Sequence, residues 1–441
     1  MSPRPRVHWV SPLPPAETDI AHYTARILPE LAEETDLTVW TDAPRWDRKL
    51  ERHAPVRRLD PDRVRPRDFA AEAGSGAGAG TGAGTGAGPE AIFVHIGNSW
   101  VFHAGLLRLA RRMPAIVVLH DLAIQELCLD AARNGLLSPA TYCAEMARWY
   151  GQAGAEFAPR LLDGRIDPRA LSAAAPGFEI ALDRAVAAVA HTDLAFRGVA
   201  GRRALPAWRL ELPFRPSAEA PPTAPRTGPL RLVQFGYIGP NRRLLEVLDV
   251  LGRLKDEIDF TLDIMGKVWD ARAVAARVEA LGLAGRVTVH GFVPEAALDQ
   301  RLRAADLVFN LRWPTMGEAS GSQLRIWNAG APSVVTDAGW YAELDDATVF
   351  KAGAEREAED LARLLRRLAA DRSLGAALGA AGRARLEARH TPRLYARAIA
   401  EIARRSPADH RAATLARALL PIRGAGTGAP LYARAFAAAL G

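Results

Sequence analysis

Short apolar runs alternate with amphipathic helical patterns along most of the chain, and this alternation starts afresh partway through. In the first part, residues 6–11 and 115–119 have the composition of buried strands. In the second part, residues 230–235 and 260–265 have the same character. Strands that are separated by helices form parallel sheets with helices on their faces. The pattern therefore predicts an α/β chain with two successive parallel-sheet units.

A proline-rich stretch at 215–229, with few large apolar side chains, lies between the two parts and is typical of a linker. We predict an N-terminal domain at 1–220, a C-terminal domain at 221–390 and a helical segment at 391–441. The length of 441 residues fits two or three domains. Within the first domain, residues 73–88 consist of Gly, Ala, Thr and Ser without periodicity, which indicates a flexible surface insertion.

The composition limits the classes of binding partner that we expect. The net charge of +7 is modest for this length, and it fits either a solvated basic surface or attraction to anionic lipid or phosphorylated substrates. No basic run is interleaved with aromatic residues, so we expect no nucleic-acid partner. Cys128 and Cys143 give neither a disulfide framework nor a metal-ligand spacing. We also find no signal segment and no apolar span, and we expect a cytoplasmic protein.

Residues 305–322, in the second part, have features of a ligand-binding site. The apolar run 305–311 predicts a buried strand, and the small residues Ser320, Gly321 and Ser322 lie just before a helical pattern. A helix N-terminus behind a loop with little side-chain bulk presents N–H groups and a positive dipole end, which favour a phosphate. Glu318 precedes this position, and a carboxylate suits sugar hydroxyl groups better than phosphate. Together these features indicate a nucleotide sugar.

Three histidines of the first part follow or end predicted strands. They are His95, His120 and His191. Ligands of open parallel sheets bind outside the carboxyl ends of the strands. We therefore expect at least one of these side chains, His120 first, to face a ligand.

Several motifs occur in an order that is similar to one known family. They are Phe235-Gly236-Tyr237-Ile238 with Asn241-Arg242-Arg243, Gly291-Phe292-Val293, Ala305-Asp306-Leu307, Gly317-Glu318-Ala319-Ser320-Gly321-Ser322, Ala329-Gly330-Ala331-Pro332, and, in the first part, Ser11-Pro12-Leu13-Pro14-Pro15, Ile96-Gly97-Asn98-Ser99 and Leu119-His120-Asp121. Across roughly residues 6–400, the chain resembles the GT-B glycosyltransferases of family 4, the group-1 retaining enzymes, and bacterial members acting on polysaccharides in particular.

The resemblance implies an α/β GT-B fold, in which two Rossmann-like domains face a central cleft and C-terminal helices pack back toward the N-terminal domain. It implies transfer from a nucleotide-sugar donor to a carbohydrate or lipid-linked acceptor, with retention and without an obligatory metal or other cofactor. It also implies a role in surface polysaccharide synthesis, in the cytoplasm and with peripheral contact to the inner membrane.

The same resemblance implies roles for individual residues. Catalytic roles fall to His120, Glu318 and Arg242. Donor-binding roles fall to Gly236, Lys267, Ser320, Gly321, Ser322 and Arg325. Acceptor-side roles fall to Asp19, His95 and Asn98. We expect no metal ligands, since the Asp60-Pro61-Asp62 pattern lies in a charged loop.

Two departures from the family pattern leave alternatives open. Arg325 stands near the position of the family's second glutamate, and Asp19 stands where a glycine is usual. A nucleotide-sugar 2-epimerase and a degenerate member that binds without catalysis therefore remain alternatives to a transferase. A dinucleotide oxidoreductase is disfavoured, because no Gly-x-Gly-x-x-Gly pattern follows a strand.

Overall fold

The computed structural model describes residues 3–70, 90–202, 205–217 and 227–419. The chain divides into two compact units. Unit 1 comprises Met1–Pro213, Met316–Ala319 and Pro392–Gly441, and unit 2 comprises Phe214–Thr315 and Ser320–Thr391. The changes of unit at 213 and 391 lie close to the predicted limits at 220 and 390. The short segment 316–319 was predicted to belong to the second domain, but it packs with unit 1.

Unit 1 is built on a parallel sheet. Its strands are β1 (Arg6–Val10), β2 (Asp36–Thr41), β3 (Val56–Arg58), β4 (Glu90–Ile96), β5 (Ala115–Leu119), β6 (Ala185–Ala190) and β7 (Ala207–Arg209). The described strands follow the order β3-β2-β1-β4-β5-β6-β7, and every pairing is parallel. All residues of β5 and β6 are buried, as expected for central strands that helices cover on both faces.

The helices of unit 1 are α1 (Asp19–Glu34), α2 (Pro66–Ala70), α3 (Trp100–Ala110), α4 (Gln125–Arg133), α5 (Pro139–Leu162) and α6 (Asp193–Arg202). Thr18 caps α1, and the apolar face of that helix, with Ile20, Tyr23, Ile27 and Leu31, is buried. The sequence predicts one helix over 124–160, but the structure divides this range into α4 and α5, and α5 is itself interrupted at Gly151, whose φ is 61°. Gly135 has a φ of 75°, and Ser138 and Pro139 then start a second helix, because proline fits the first helical position.

Unit 2 has the same architecture. Its strands are β8 (Leu230–Phe235), β9 (Phe260–Met265), β10 (Val287–Gly291), β11 (Leu307–Phe309), β12 (Ser333–Thr336) and β13 (Phe350–Ala352). They form a parallel sheet in the order β10-β9-β8-β11-β12-β13. Leu232 and Val233 alternate across β8 and join two separate apolar clusters, so both faces of the sheet are covered.

The helices of unit 2 are α7 (Leu244–Leu254), α8 (Ala271–Ala280), α9 (Glu295–Ala304), α10 (Gly321–Asn328), α11 (Glu357–Ala370) and α12 (Ser373–Arg389). A last helix, α13 (Pro392–Leu419), returns to unit 1. There Tyr395 and Tyr23 of α1 are hydrogen-bonded at 2.5 Å between their hydroxyl oxygens. Among the described helices, none combines the length and apolar character of a membrane span.

Three sequence predictions fall wholly or partly outside the described residues. The predicted insertion at 73–88 lies outside them, and so does the part of the predicted helical segment after 419, where the sequence predicts two short helices separated by a break at 423–428. Of the predicted linker at 215–229, residues 218–226 also lie outside.

Candidate functional site

In unit 2, the sheet reverses its strand order between β8 and β11. Strand β8 has β9 on one side and β11 on the other, so the chain continues in opposite directions from this point. Open α/β sheets bind ligands outside the carboxyl ends of the strands at such a switch point. The loop after β8 and the loop after β11 both lie there, and they are joined by a 2.8 Å hydrogen bond from Trp313 N to Asn241 O.

The loop after β8 contains the predicted Gly236. Its φ of 98° suits glycine, and its N–H donates to Met265 O at 2.9 Å. Gly266 follows β9, and a Cβ at that position would lie 2.2 Å from Gly236 O. The two glycines therefore let the backbones of neighbouring loops approach closely. The predicted donor-binding residue Lys267 comes next and is exposed.

Arg242 ends a short 3-10 turn, Pro240–Arg242, in the same loop. Only 4% of its surface is exposed. Its Nη2 donates to Phe235 O at 3.2 Å, and its own carbonyl accepts a bond of 2.7 Å from Gln234 Nε2. The guanidinium of Arg242, a predicted catalytic residue, is therefore anchored at the carboxyl end of β8.

The loop after β11 leads into α10, as the sequence predicts. Ser320 is the N-cap, and its hydroxyl accepts from Gln323 N at 3.1 Å. Asn310 Nδ2 donates to Gln323 Oε1 at 2.9 Å, and Gln323 Nε2 donates to Ser333 Oγ at 2.8 Å. This buried network fixes the start of the helix. Gly321 is the first helical residue, so the first-turn N–H groups lie at the switch point of the sheet.

Arg325, a predicted donor-binding residue, pairs with two carboxylates. Its Nε donates to Asp299 Oδ1 at 2.7 Å, and its Nη1 donates to Glu295 Oε1 at 3.2 Å. Both partners belong to α9. The guanidinium is therefore held by two carboxylates and joins α10 to α9, and its donor-binding role stays a prediction.

In unit 1, the three predicted histidines meet in one cluster. The ring of His120 lies 5.2 Å, centroid to centroid, from those of both His95 and His191. The pair His95 Nδ1 and His120 Nε2 lies at hydrogen-bonding distance, 2.9 Å. Tyr23 contacts all three rings, and Tyr395 contacts His191. The cluster forms because β4, β5 and β6 are neighbours whose carboxyl ends share one edge.

Burial keeps these imidazoles neutral. It lowers the pKa of His95 and of His120 well below the usual value, with a further contribution from His191. Burial likewise lowers the pKa of His191 to about 4. His95 lies inside β4 and has no exposed surface, and its acceptor-side role stays a prediction. His120 is partly exposed.

The segment 316–319 joins this edge of unit 1. Ala123 N donates to Met316 O at 2.8 Å, and the Thr192 hydroxyl donates to Gly317 O at 3.0 Å. Since Ala123 follows β5 and Thr192 follows β6, the segment lies at the strand ends that also carry His120. Glu318 is partly exposed there, and its Oε2 accepts from Met316 N at 2.7 Å. The predicted catalytic residues Glu318 and His120 therefore share one edge.

A cavity of about 900 Å³ adjoins the ends of β4 and β5 in unit 1. Asn98, a predicted acceptor-side residue, lines it and donates to Glu126 Oε2 at 3.1 Å. Asp19 is exposed at the first position of α1, and the lining contains its neighbours Thr18 and Ile20 instead. Sequence reasoning missed further lining residues, which are His103, Asp121, Glu126 and Arg169. Of these four, only Asp121 could have been predicted from the sequence, because it directly follows the predicted site residue His120.

Within the ranges that the structure describes, no group of three or more His, Cys, Asp or Glu side chains could hold a metal ion. Asp62, from the Asp-x-Asp pattern, pairs with Arg108 at 2.5 Å.

Because the buried histidines are neutral in the folded state, we expect the stability of the protein to decrease in acid. Unfolded histidine has a pKa of about 6.5, whereas His191 and His103 titrate at about 4 in the folded state. The unfolded state therefore binds more protons between these values, and the free energy of unfolding should fall as the pH drops from 7 toward 4. Each histidine contributes about 1.4 kcal/mol per pH unit.

We expect His191→Phe to reduce this pH slope by about that amount, as measured by urea unfolding at several pH values. The control is His22→Phe, which replaces an exposed ring and should keep the wild-type slope. Equal slopes for wild type and His191→Phe would contradict the assignment.

Comparisons with known proteins bear on the fold. Residues 242–402, less than half of the chain, match the family model described as glycosyl transferase-like. No curated protein matches the chain. Solved structures do: a glycosyltransferase from Rickettsia africae ESF-5 is 11% identical, with a TM-score of 0.58 over 92% of this chain and 99% of that one.

Two further structures are similar. Sucrose-phosphate synthase from Thermosynechococcus elongatus is 15% identical, with a TM-score of 0.56 over 91% of this chain and 99% of that one. HepE from Anabaena, in complex with UDP and glucose, is 15% identical, with a TM-score of 0.55 over 90% and 99%. These likenesses confirm the predicted α/β fold of the GT-B class.

Proposed function

We propose that this protein is a glycosyltransferase that moves a sugar from a nucleotide-sugar donor to a carbohydrate or lipid-linked acceptor with retention of configuration. One observation carries the proposal: the N-terminus of α10 opens at the switch point of the unit 2 sheet, directly after the Glu318 loop. The glycosyl transferase-like match over 242–402 covers this same region and supports it.

In the proposed mechanism, unit 2 holds the diphosphate. Breaking the bond between the anomeric carbon and the diphosphate oxygen places negative charge on the leaving group. Donors and cations that are already in position stabilise such charge most effectively. The N–H groups at Gly321 and Ser322 would bind the diphosphate, and Arg242 and Lys267 would supply positive charge beside it.

Glu318 would accept hydrogen bonds from sugar hydroxyls, and His120 would contact the sugar as a neutral imidazole. In a retaining reaction of this type, the acceptor oxygen bonds to the anomeric carbon on the face that the diphosphate leaves. The departing phosphate oxygen takes the acceptor's proton, so no protein nucleophile is assigned. We propose no obligatory metal.

The acceptor and setting follow from the resemblance. We propose a role in assembling surface polysaccharide or lipopolysaccharide in the cytoplasm, in peripheral contact with the inner membrane. Because HepE was solved with UDP and glucose, UDP-glucose is the first donor to test.

The testing experiment measures thermal stability of the full chain against nucleotides and nucleotide sugars, followed by release of nucleoside diphosphate with acceptors present. A ligand that binds the native state raises the melting temperature. We expect one donor to stabilise the protein and to be consumed only with an acceptor, giving a product of retained configuration by NMR. Epimerised donor without acceptor would identify a 2-epimerase, and stabilisation without any turnover would favour the non-catalytic reading.

Glu318→Gln tests the sugar contact. The amide oxygen can still accept from Met316 N, so folding should be unaffected. A charged acceptor of sugar hydroxyls is lost, however, and hydrogen bonds to charged groups contribute about 1.5–3 kcal/mol. We expect kcat/KM to fall roughly 10- to 100-fold. Glu355→Gln removes an exposed carboxylate of unit 2 and is the control. An unchanged kcat/KM would remove Glu318 from the site.

A further inference from the structure

The cavity of unit 1 has the size of a ligand site. Its volume of about 900 Å³ lies toward the upper end of the range for small-molecule pockets, about 300–1,000 Å³. The loop 97–99, the first turn of α3, the helix α4 and the short turn Pro168–Leu171 contribute to the wall. A cavity of this volume has room for more than a single sugar ring.

His103, a buried residue of the cavity wall, has one ring nitrogen that can accept a hydrogen bond. His103 is 1% exposed, and its Nδ1 donates to His95 O at 3.2 Å. Burial lowers the pKa of His103 to about 4, so the ring is neutral and Nε2 carries a lone pair. A Cβ at Gly97 would lie 3.0 Å from that Nε2 and 3.2 Å from Asp121 Oδ2. Two hydrogen-bond acceptors therefore lie side by side at the wall, next to a residue without a side chain.

The charged groups of the lining make it acidic. Four carboxylates line it (Asp121, Glu126, Asp130 and Asp167), together with two arginines (Arg133 and Arg169), which gives a formal charge of −2. Both arginines face carboxylates of the same wall. Arg169 Nε lies 3.0 Å from Glu126 Oε1, and Arg133 Nη1 lies 4.0 Å from Asp130 Oδ1. An anionic ligand would have to compete for these guanidinium groups.

One feature of the wall favours an anion, namely the N-terminus of α3. The protein already supplies that anion. Asp121 Oδ2 accepts a 2.8 Å hydrogen bond from Asn98 N, one residue before the N-cap Ser99. The positive end of α3 is therefore met by Asp121 and needs no anion from a ligand, and the acceptor atoms of the wall suit donor groups of a ligand.

From this geometry, and resting on the proposed function, we propose that the cavity binds the acceptor and selects one that presents hydroxyl or ammonium groups. The acceptor portion bound here is a neutral or amine-bearing carbohydrate without phosphate or carboxylate groups. His103 Nε2, Asp121 and Glu126 accept hydrogen bonds from it. Asn98 is a positioning residue, since its Oδ1 accepts from Leu127 N at 3.2 Å while its Nδ2 donates to Glu126.

The test uses the full chain and four probes observed by saturation-transfer NMR. They are methyl α-glucoside, methyl glucosaminide, glucose 6-phosphate and glucuronate. We expect the first two to bind and the two anionic probes not to bind. Gly97→Val should abolish binding, because its side chain would enter the space beside His103 and Asp121. Glu126→Lys should weaken binding of the glucosaminide at least 10-fold and allow glucose 6-phosphate to bind.

Glu33→Gln removes an exposed carboxylate at the far end of α1 and should keep the wild-type probe profile. Preference for the anionic probes, or binding of no probe at the highest soluble concentration, would overturn the inference. Thermal stabilisation by nucleotide sugars is measured on the same samples. If that stabilisation persists while the probe pattern fails, only this inference is rejected; if stabilisation is absent as well, the proposed function fails.

Discussion

Gly321→Asp is expected to abolish nucleotide-sugar binding while the protein stays folded. Gly321 is the first residue of α10, and a Cβ there would meet no other atom within 4 Å. A carboxylate in the first turn suits the helix dipole, so stability should hold or rise. Against a bound diphosphate, however, two like unit charges 4 Å apart repel by about 4 kcal/mol at an effective dielectric constant of about 20. This repulsion corresponds to roughly a thousandfold loss of affinity.

The measurement is the thermal shift with UDP-glucose and the other nucleotide sugars, together with the melting temperature of the free protein. Gly321→Asn is the matched control, because it has the same shape without the charge and should retain most of the binding. If the Asp and Asn variants bind a donor equally well, the diphosphate does not lie at the start of α10.

Arg242→Ala is expected to lower kcat by about 100- to 1,000-fold, the size of effect seen when one group that stabilises transition-state charge is removed. Arg242 is 4% exposed and its guanidinium is anchored on Phe235 O, so this group needs little reorganisation when charge develops on the leaving group. The same anchoring means that the alanine variant removes a partner of a buried carbonyl, which costs about 1–3 kcal/mol of stability.

Two further variants separate these effects. Arg242→Lys keeps the positive charge and should recover part of kcat, since lysine lacks the planar geometry of arginine. Arg253→Ala removes an exposed arginine of α7 and should leave kcat unchanged. Activity is measured at saturating donor, with the melting temperature recorded for each variant. A loss of stability without a loss of kcat in the folded fraction would make Arg242 a structural residue only.

Most strands and helices could be predicted from the sequence because burial imposes a local pattern, but the three-residue strands β3, β7 and β13 were not. The run Ala185–Ala190, for example, consists only of apolar residues, and the structure shows a buried strand with these limits. Ser320 was one of three residues predicted to start α10. It could be recognised because small polar residues cap a helix through a hydrogen bond to a backbone N–H only a few residues away. The break between α4 and α5 was missed, although Asn134-Gly135 and Ser138-Pro139 are turn signals, because the surrounding helical pattern is strong.

The site was less predictable because its contacts are not local. Arg325 is explained by Asp299 and Glu295, which lie 26 and 30 residues away in the sequence. The cavity depends on His103, Asp121 and Glu126, which come from three different loops or helices. The burial of His95 follows from Trp9 and Tyr23, whose rings pack on it from β1 and α1. None of these contacts follows from a regular spacing of residues, so a single sequence does not reveal them.

The loop between Asn310 and Ser320 is closed at its base, since Asn310 Nδ2 reaches Ser320 Oγ at 3.4 Å and Gln323 Oε1 at 2.9 Å. The start of α10 is thus held by contacts that do not depend on residues 311–319. The loop between these anchors has contacts of its own, since Leu311 is buried in the core and Trp313 N donates to Asn241 O. Exchange of single exposed side chains, rather than of the whole loop, is therefore the practical route to proteins with altered sugar selectivity.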